Sequence, residues 1–122
     1  MKFTKTYEYI ITDGNAGIVG ISREACDKLG DIYLIELPEL GKEVKKNDEV
    51  GVIESVKSAF DIFTPVSGKI IEINRLLGEK PELVSEDPMG KGWIFKIDMI
   101  DKTELNDLMD YEEFKKFINE AG

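Results

Sequence analysis

Alternating hydrophobic and polar positions divide the first part of the chain into short extended runs separated by turns. Residues 3–11 and 16–21 are rich in strand-forming residues and flank Asp13-Gly14-Asn15, a strong turn sequence. They predict an N-terminal β-hairpin. Ser22 is a good N-cap and Gly30 a good terminator, which together predict a helix of about two turns between them.

The most apolar part of the chain lies near its centre and has two extended runs. Residues 50–56 and residues 59–63 are separated only by Lys57 and Ser58. Two strand-like runs joined by so short a connection are typical of a tight hairpin. The pattern therefore predicts a β-hairpin with Lys57 at its tip.

The rest of the chain predicts further strands and a helical C-terminus. The strands are expected at residues 31–37, 69–74 and 92–97. Prolines and glycines between residues 75 and 91 predict a loop with one helical turn at residues 81–84. Asp101 and Asp110 are suitable caps for amphipathic helices that follow them. We expect a single, mainly β domain over residues 1–122 with short helices and a C-terminal helical segment.

Composition narrows the class of function. A net charge of -9 opposes nucleic-acid binding, and no apolar run approaches the length of a membrane span. We therefore expect the chain to bind neither nucleic acid nor a membrane. The start of the chain lacks a signal peptide and Cys26 is the only cysteine, which favours a cytoplasmic location, or the mitochondrial matrix if a eukaryotic transit peptide has been removed. The chain has no histidine, the commonest general base and metal ligand. We expect a non-catalytic protein with no metal site.

Lys57 is the candidate functional residue. A lone lysine at a turn is usually a solubility residue. A modifying enzyme that recognises a lysine on a folded surface, however, needs it presented at a rigid and protruding turn, which a tight hairpin supplies. We therefore expect Lys57 to be the attachment point of a prosthetic group.

The residues around Lys57 resemble a known family. Glu54-Ser55-Val56-Lys57, followed by Ala59, Asp61 and Pro65-Val66-Ser67-Gly68, is similar to the lipoylation segment of the H protein of the glycine cleavage system. Further landmarks of that family occur in the same order: Gly20-Ile21-Ser22, Leu29-Gly30-Asp31-Ile32, Glu36-Leu37-Pro38, Asn74, Pro81-Glu82-Leu83-Val84, Asp87-Pro88 and Gly92-Trp93. The resemblance extends from about Thr6 to the C-terminal helix, which makes it far more specific than the lysine motif alone.

The resemblance implies a fold, a cofactor and a set of partners. The fold would be a barrel-sandwich hybrid of the lipoyl and biotinyl type, with lipoate in amide linkage on Lys57. The chain would move the methylamine group of glycine from glycine decarboxylase to aminomethyltransferase. Dihydrolipoyl dehydrogenase would then reoxidise the dithiol form of the lipoyl arm. Glu54 would be a recognition residue for the lipoylating enzyme.

A cleft for the arm is also implied by the resemblance. By position, its residues would be Thr6, Glu8, Lys28, Leu29 and Asp61. A carboxylate at Glu8 or Asp61 would pair with the methylamine cation. The alternative for both is an ordinary solvated surface acid.

Several residues near the expected cleft depart from the family pattern. The family commonly has His-Glu-Trp where this chain has Tyr7-Glu8-Tyr9, a histidine in place of Lys28, and a small residue in place of Phe60. These departures keep open a lipoate relay that donates lipoate to other complexes or serves redox regulation. A biotinyl carrier is disfavoured because Val56 and Ser58 stand where biotin sites have methionines. An autonomous enzyme or a plain interaction module is the alternative of a different class.

Overall fold

The computed structural model describes residues 1–121, which form two antiparallel β-sheets and several short helices. The strands are β1 (Lys2–Phe3), β2 (Glu8–Asp13), β3 (Ala16–Ile21), β4 (Ile32–Glu36), β5 (Glu43–Val44), β6 (Glu49–Ser55), β7 (Ala59–Phe63), β8 (Gly68–Ile73) and β9 (Phe95–Met99). The helices are α1 (Arg23–Leu29), α2 (Leu76–Glu79), α3 (Leu83–Glu86) and α4 (Tyr111–Ala121), with a 3₁₀-helix at Lys102–Asp107. Strands make up 38% and helices 26%, which confirms the predicted mainly β class. None of the helices formed by residues 1–121 is long and apolar enough to cross a membrane.

The two sheets form a sandwich and do not close into a barrel. The six-stranded sheet has the order β1-β2-β3-β9-β8-β5, and the three-stranded sheet has the order β4-β6-β7. The hairpin predicted around Lys57 is the β6–β7 pair, in which Glu54 pairs with Ala59. The hairpin therefore belongs to the smaller sheet, while the N-terminal hairpin belongs to the larger one.

The inner face of the β6–β7 hairpin anchors it in the core. Ile53 of β6 and Ile62 of β7 are fully buried, and they belong to one apolar cluster with Ile10, Val19 and Ile97 of the large sheet. Complete burial of such a side chain stabilises the fold by roughly 1.5–3 kcal/mol. Because both strands are fixed from within, the tip between them is held in a defined position.

The C-terminal helix α4 packs on the N-terminal part of the chain. Its Phe114 stacks on Phe3 with ring centroids 4.5 Å apart. The predicted cap is confirmed, because the Glu113 amide donates to the Asp110 carboxylate at 2.8 Å and the Asp110 amide donates to Glu113 at 3.1 Å. The helix predicted after Asp101 is a 3₁₀-helix, in which the Asp101 carboxylate accepts from Thr103 rather than from the third following residue.

Other predicted elements also differ from the structure, among them the strand expected at residues 92–97, which is formed by Phe95–Met99. The strand predicted over residues 3–11 is broken by a tight turn, in which the Tyr7 amide donates to the Thr4 carbonyl at 3.2 Å and Tyr7 has a φ of 76°. This left-handed conformation is uncommon outside glycine, so the pattern of strand-forming residues could not predict it. The loop predicted at residues 75–91 contains two short helices, α2 and α3, rather than one helical turn.

Candidate functional site

Ser55 organises the tip of the β6–β7 hairpin. Its hydroxyl donates to the Ser58 carbonyl at 3.0 Å and accepts from the amides of Lys57 at 3.3 Å and Ser58 at 3.2 Å. Ser55 is buried, whereas Lys57 is exposed. One inward-facing hydroxyl thus satisfies the backbone of the turn, so that the turn presents Lys57 in a fixed orientation.

Replacing Ser55 by alanine should loosen this turn, because the amides of Lys57 and Ser58 lose their shared acceptor. We expect a loss of about 1–2 kcal/mol in the free energy of unfolding, measured with urea, and faster hydrogen exchange at both amides. Ser58→Ala is the matched control, since Ser58 joins these hydrogen bonds through its backbone. Equal exchange rates in Ser55→Ala and the wild type would contradict the role of the hydroxyl.

The C-terminal end of α1 forms a second support for the tip. The Val56 amide donates to the Asp31 carbonyl at 3.0 Å, which ties the turn to the residues just after the helix. Gly30 ends the helix with a φ of 73°, and a Cβ atom there would lie 3.4 Å from Cε of Lys57. Glycine at this position therefore allows the helix to end in the left-handed conformation, and the Lys57 side chain passes at van der Waals distance from it.

An apolar pocket lies beside the tip, between α1, the N-terminal turn and β7. It has a volume of about 250 Å³ and is lined by Tyr7, Ala25, Lys28, Leu29, Ser58 and Phe60. Lys28 donates from Nζ to the Tyr7 hydroxyl at 3.0 Å, and the same nitrogen lies 4.6 Å from the centroid of the Tyr7 ring. Since Ser58 is the neighbour of Lys57, this pocket lies next to the tip of the hairpin.

The structure brings together only some of the predicted site residues. Lys28 and Leu29 line the pocket beside Lys57. Glu54 is half-buried and lies between Leu34 and Ala59 in the small sheet, three residues before Lys57. Thr6 and Asp61 do not line this pocket.

Thr6 and Asp61 have different surroundings. Thr6 is exposed in the N-terminal turn and borders another cavity, with Lys46 and Asp107. Asp61 is exposed and lies near Glu49, and this neighbouring carboxyl group raises the pKa of Glu49. It points away from the pocket because successive side chains of a strand alternate, and its neighbour Phe60 lines the pocket.

Glu8 is fully buried rather than a surface acid. Its carboxylate accepts hydrogen bonds from the hydroxyls of Thr4 and Thr6 and, at 3.1 Å, from the amide of Phe63. Burial raises the pKa of Glu8 although each of these hydrogen bonds lowers it. Glu8 therefore joins the N-terminal turn to the end of β7, and it does not line the pocket beside Lys57.

The raised pKa of Glu8 predicts a pH dependence of stability. The folded state holds the Glu8 proton more tightly than the unfolded state does, so this contribution favours folding at low pH. It is lost as the pH rises from the ordinary value of 4.5 through the folded-state pKa. The free energy of unfolding is measured with urea for the wild type and Glu8→Gln across this range. As the pH rises, the wild type should lose stability relative to the variant. If the free energies of unfolding of the two proteins changed in parallel with pH, the raised pKa of Glu8 would be contradicted.

Sequence reasoning named Tyr7 and Phe60 only as departures from the family pattern near the expected cleft, and it did not assign the other residues below to the site. Tyr7, Ala25, Ser58 and Phe60 line the pocket, and Gly30 lies beneath the Lys57 side chain. Ala25 could have been predicted from the sequence, because residues three and four apart share one face of a helix. Ala25 has this spacing to Lys28 and Leu29 in α1. No local signal points to Tyr7, because its placement depends on the turn at residues 4–7.

A lysine held at the rigid tip of a hairpin, on a β-sandwich and beside an apolar pocket, is the arrangement of a carrier of a covalently attached group. The sequence model of the family described as "Glycine cleavage H-protein" matches residues 1–121. The chain belongs to this family. Its members are non-catalytic lipoyl carriers of the glycine cleavage system, so this chain is a carrier rather than an enzyme, as predicted.

Relatives and a solved structure agree with this assignment. The chain is 46% identical over 122 residues to the glycine cleavage system H protein of Carboxydothermus hydrogenoformans, covering 100% of this chain and 94% of the relative. It is 46% identical over 116 residues to that of Thermotoga maritima, covering 95% and 94%. The crystal structure of a glycine cleavage system H protein from Mycobacterium marinum superposes with a TM-score of 0.88 at 29% identity, covering 97% of this chain and 95% of the other.

Proposed function

We propose that Lys57 carries lipoate in amide linkage and that the chain carries the methylamine group of glycine between the enzymes of the glycine cleavage system. The observation that supports this most is the placement of Lys57. Its ammonium forms no ion pair within residues 1–121, and its side chain passes over Gly30 next to an apolar pocket. When bound, lipoate supplies a pair of sulfur atoms that open, take up a group and close again.

The residues of the chain bind and present the arm. Ser55 and Gly30 fix the lysine, and amide formation removes its charge so that the arm can lie on an apolar surface. Leu29 and Phe60 contribute apolar wall to the pocket beside the tip. Of the cleft residues implied by the sequence, we retain Lys28 and Leu29, and leave out Thr6, Glu8 and Asp61 because they do not line this pocket.

Glu54 is proposed as a recognition residue for the lipoylating enzyme. It lies near the end of β6, three residues before Lys57, and is half-buried, so part of its side chain is exposed close to the tip. Lipoylation of Glu54→Gln should therefore be slower than that of the wild type, with Glu72→Gln on β8 as the control. Equal rates for the three proteins would contradict this role.

The proposed partners are glycine decarboxylase, aminomethyltransferase, dihydrolipoyl dehydrogenase and the lipoylating enzyme. The net charge of -9 supports docking on basic partner surfaces. We propose that the chain acts as one domain over residues 1–122 in the cytoplasm, or in the mitochondrial matrix if the source is eukaryotic. The single cysteine, which is buried and free, suits a reducing compartment.

Reconstitution tests the cargo. The lipoylated chain is mixed with glycine decarboxylase, aminomethyltransferase and glycine, and its mass is followed with and without the decarboxylase. We expect a further mass increase of an aminomethyl group on the lipoylated chain only when the decarboxylase is present. A chain that is lipoylated but never takes up this group, and that passes its lipoate to other proteins, would instead be the relay.

A further inference from the structure

We propose that the outer face of the small sheet, next to Lys57, is the docking surface for glycine decarboxylase. It fits a partner surface that carries lysines or arginines around an apolar centre. This inference rests on the proposed function, since it concerns an enzyme that the arm must reach. It deepens that function by assigning one partner to a defined part of the chain.

The register of β4, β6 and β7 determines which side chains share this outer face. Cross-strand partners, and residues two positions apart on one strand, project to the same side of a sheet. The opposite side of these strands carries Ile53 and Ile62, which are fully buried in the core. The outward side, called the acidic face below, has one row of Glu36, Val52 and Asp61 and a row nearer to the tip of Leu34, Glu54 and Ala59.

The charged residues of the small sheet are all negative. Strands β4, β6 and β7 contain no lysine or arginine. Their acids are Glu36, Glu49, Glu54 and Asp61. Within residues 1–121, none of these carboxylates forms an ion pair, whereas in the large sheet Lys96 lies 3.4 Å from Glu72. The acidic face is therefore free to pair with the basic residues of another protein.

The carboxylates of the acidic face repel one another. Asp61, chiefly, and Glu36 raise the pKa of Glu49, which lies at the end of β6 remote from Lys57. Like charges held this close are unfavourable in the isolated chain. A partner that brings cations to this face relieves the repulsion, so the arrangement favours binding of a basic surface.

Apolar side chains are exposed among these acids and as far as the tip of the hairpin. Leu34 is 44% exposed, and Val56, the neighbour of Lys57, is 68% exposed. Tyr33 is 60% exposed where a bulge interrupts the pairing of β4 with β6. Apolar groups with a charged rim are typical of protein interfaces. Because they continue to the tip, a partner docked on the acidic face lies beside Lys57.

The charge at the tip indicates which partner fits. Unmodified Lys57 is a cation, and its amide with lipoate is neutral. In the proposed function, glycine decarboxylase receives the unloaded, neutral arm, whereas aminomethyltransferase receives an arm that carries the methylamine cation. A basic partner surface is repelled least when the tip brings no positive charge. The acidic face therefore suits glycine decarboxylase best.

The KM of glycine decarboxylase for the lipoylated chain tests the proposal. The wild type and the double variant Glu36→Gln/Asp61→Asn are lipoylated to the same extent, as verified by mass. Release of carbon dioxide from glycine is then measured with the chain as the varied substrate. At low ionic strength we expect KM to rise roughly fivefold in the variant, with kcat changed by less than about twofold. Added salt should shrink the difference in KM.

The control is Glu43→Gln/Asp98→Asn, which removes the same two charges from exposed residues of β5 and β9 in the large sheet. It separates an effect of the acidic face from an effect of net charge. Urea unfolding verifies that both double variants keep the fold, which is expected because all four residues are exposed.

Three results would overturn this inference alone. They are a wild-type KM in Glu36→Gln/Asp61→Asn, an equal rise of KM in the control, and a rise of KM for aminomethyltransferase without one for the decarboxylase. A lipoylated wild-type chain that never supports release of carbon dioxide would overturn the proposed function, and this inference with it.

Discussion

Replacing Lys57 by arginine is expected to abolish carrier activity completely and leave the fold intact. The guanidinium keeps the charge and much of the length of the side chain, but it does not form the amide that holds lipoate. The Lys57 ammonium forms no ion pair within residues 1–121, so the free energy of unfolding should change by less than about 0.5 kcal/mol. Activity is measured by aminomethyl uptake in the reconstituted system, and stability by urea unfolding.

Lys69→Arg is the matched control for this variant. Lys69 is an exposed lysine of β8, remote in sequence from the hairpin tip, and should behave as the wild type in both measurements. Residual aminomethyl uptake by Lys57→Arg would mean that another residue carries the arm.

The largest stability effect is expected for Gly68→Ala. A Cβ atom at Gly68 would lie 2.1 Å from the Asp98 carbonyl oxygen and 2.9 Å from the carbonyl carbon, both of which are backbone atoms of β9. Strand β8 pairs with β9 here, with Gly68 opposite Met99, so these two strands would have to separate. We expect a loss of about 3 kcal/mol in the free energy of unfolding, measured with urea.

Gly78→Ala is the control for the glycine substitution itself. A Cβ atom at Gly78 would meet nothing within 4 Å, and the residue lies in α2. The change should be neutral or stabilise the fold by up to about 1 kcal/mol, since alanine restricts the unfolded chain and favours helix. A Gly68→Ala protein as stable as the wild type would contradict the packing described for β8 and β9.

The elements that the sequence predicted well are those specified by neighbouring residues. Helix α1 begins after Ser22, whose hydroxyl accepts from the Ala25 amide at 3.2 Å, and ends at Gly30 with its positive φ. Both features are capping signals within a few residues of the helix. The β6–β7 hairpin was likewise predictable because two apolar runs flank a short connection that contains Lys57.

The features that could not be predicted depend on contacts between distant parts of the chain. Glu8 was expected to line the arm cleft or to be a surface acid, yet it is buried and its carboxylate accepts from the Phe63 amide, 55 positions away. The pocket is likewise assembled from α1, the N-terminal turn and β7, and Tyr7 reaches it through a left-handed backbone. Family resemblance pointed to Lys57 and to a cleft near it, but it could not show that Glu8 and Asp61 lie outside the pocket beside the tip.

The central claim is that Lys57 is the attachment point of lipoate, and the intact mass of the protein isolated from its native source tests it most directly. We expect one adduct of lipoyl size, located on the peptide that contains Lys57 after proteolysis. A native protein with its unmodified mass, or an adduct located on another lysine, would contradict it.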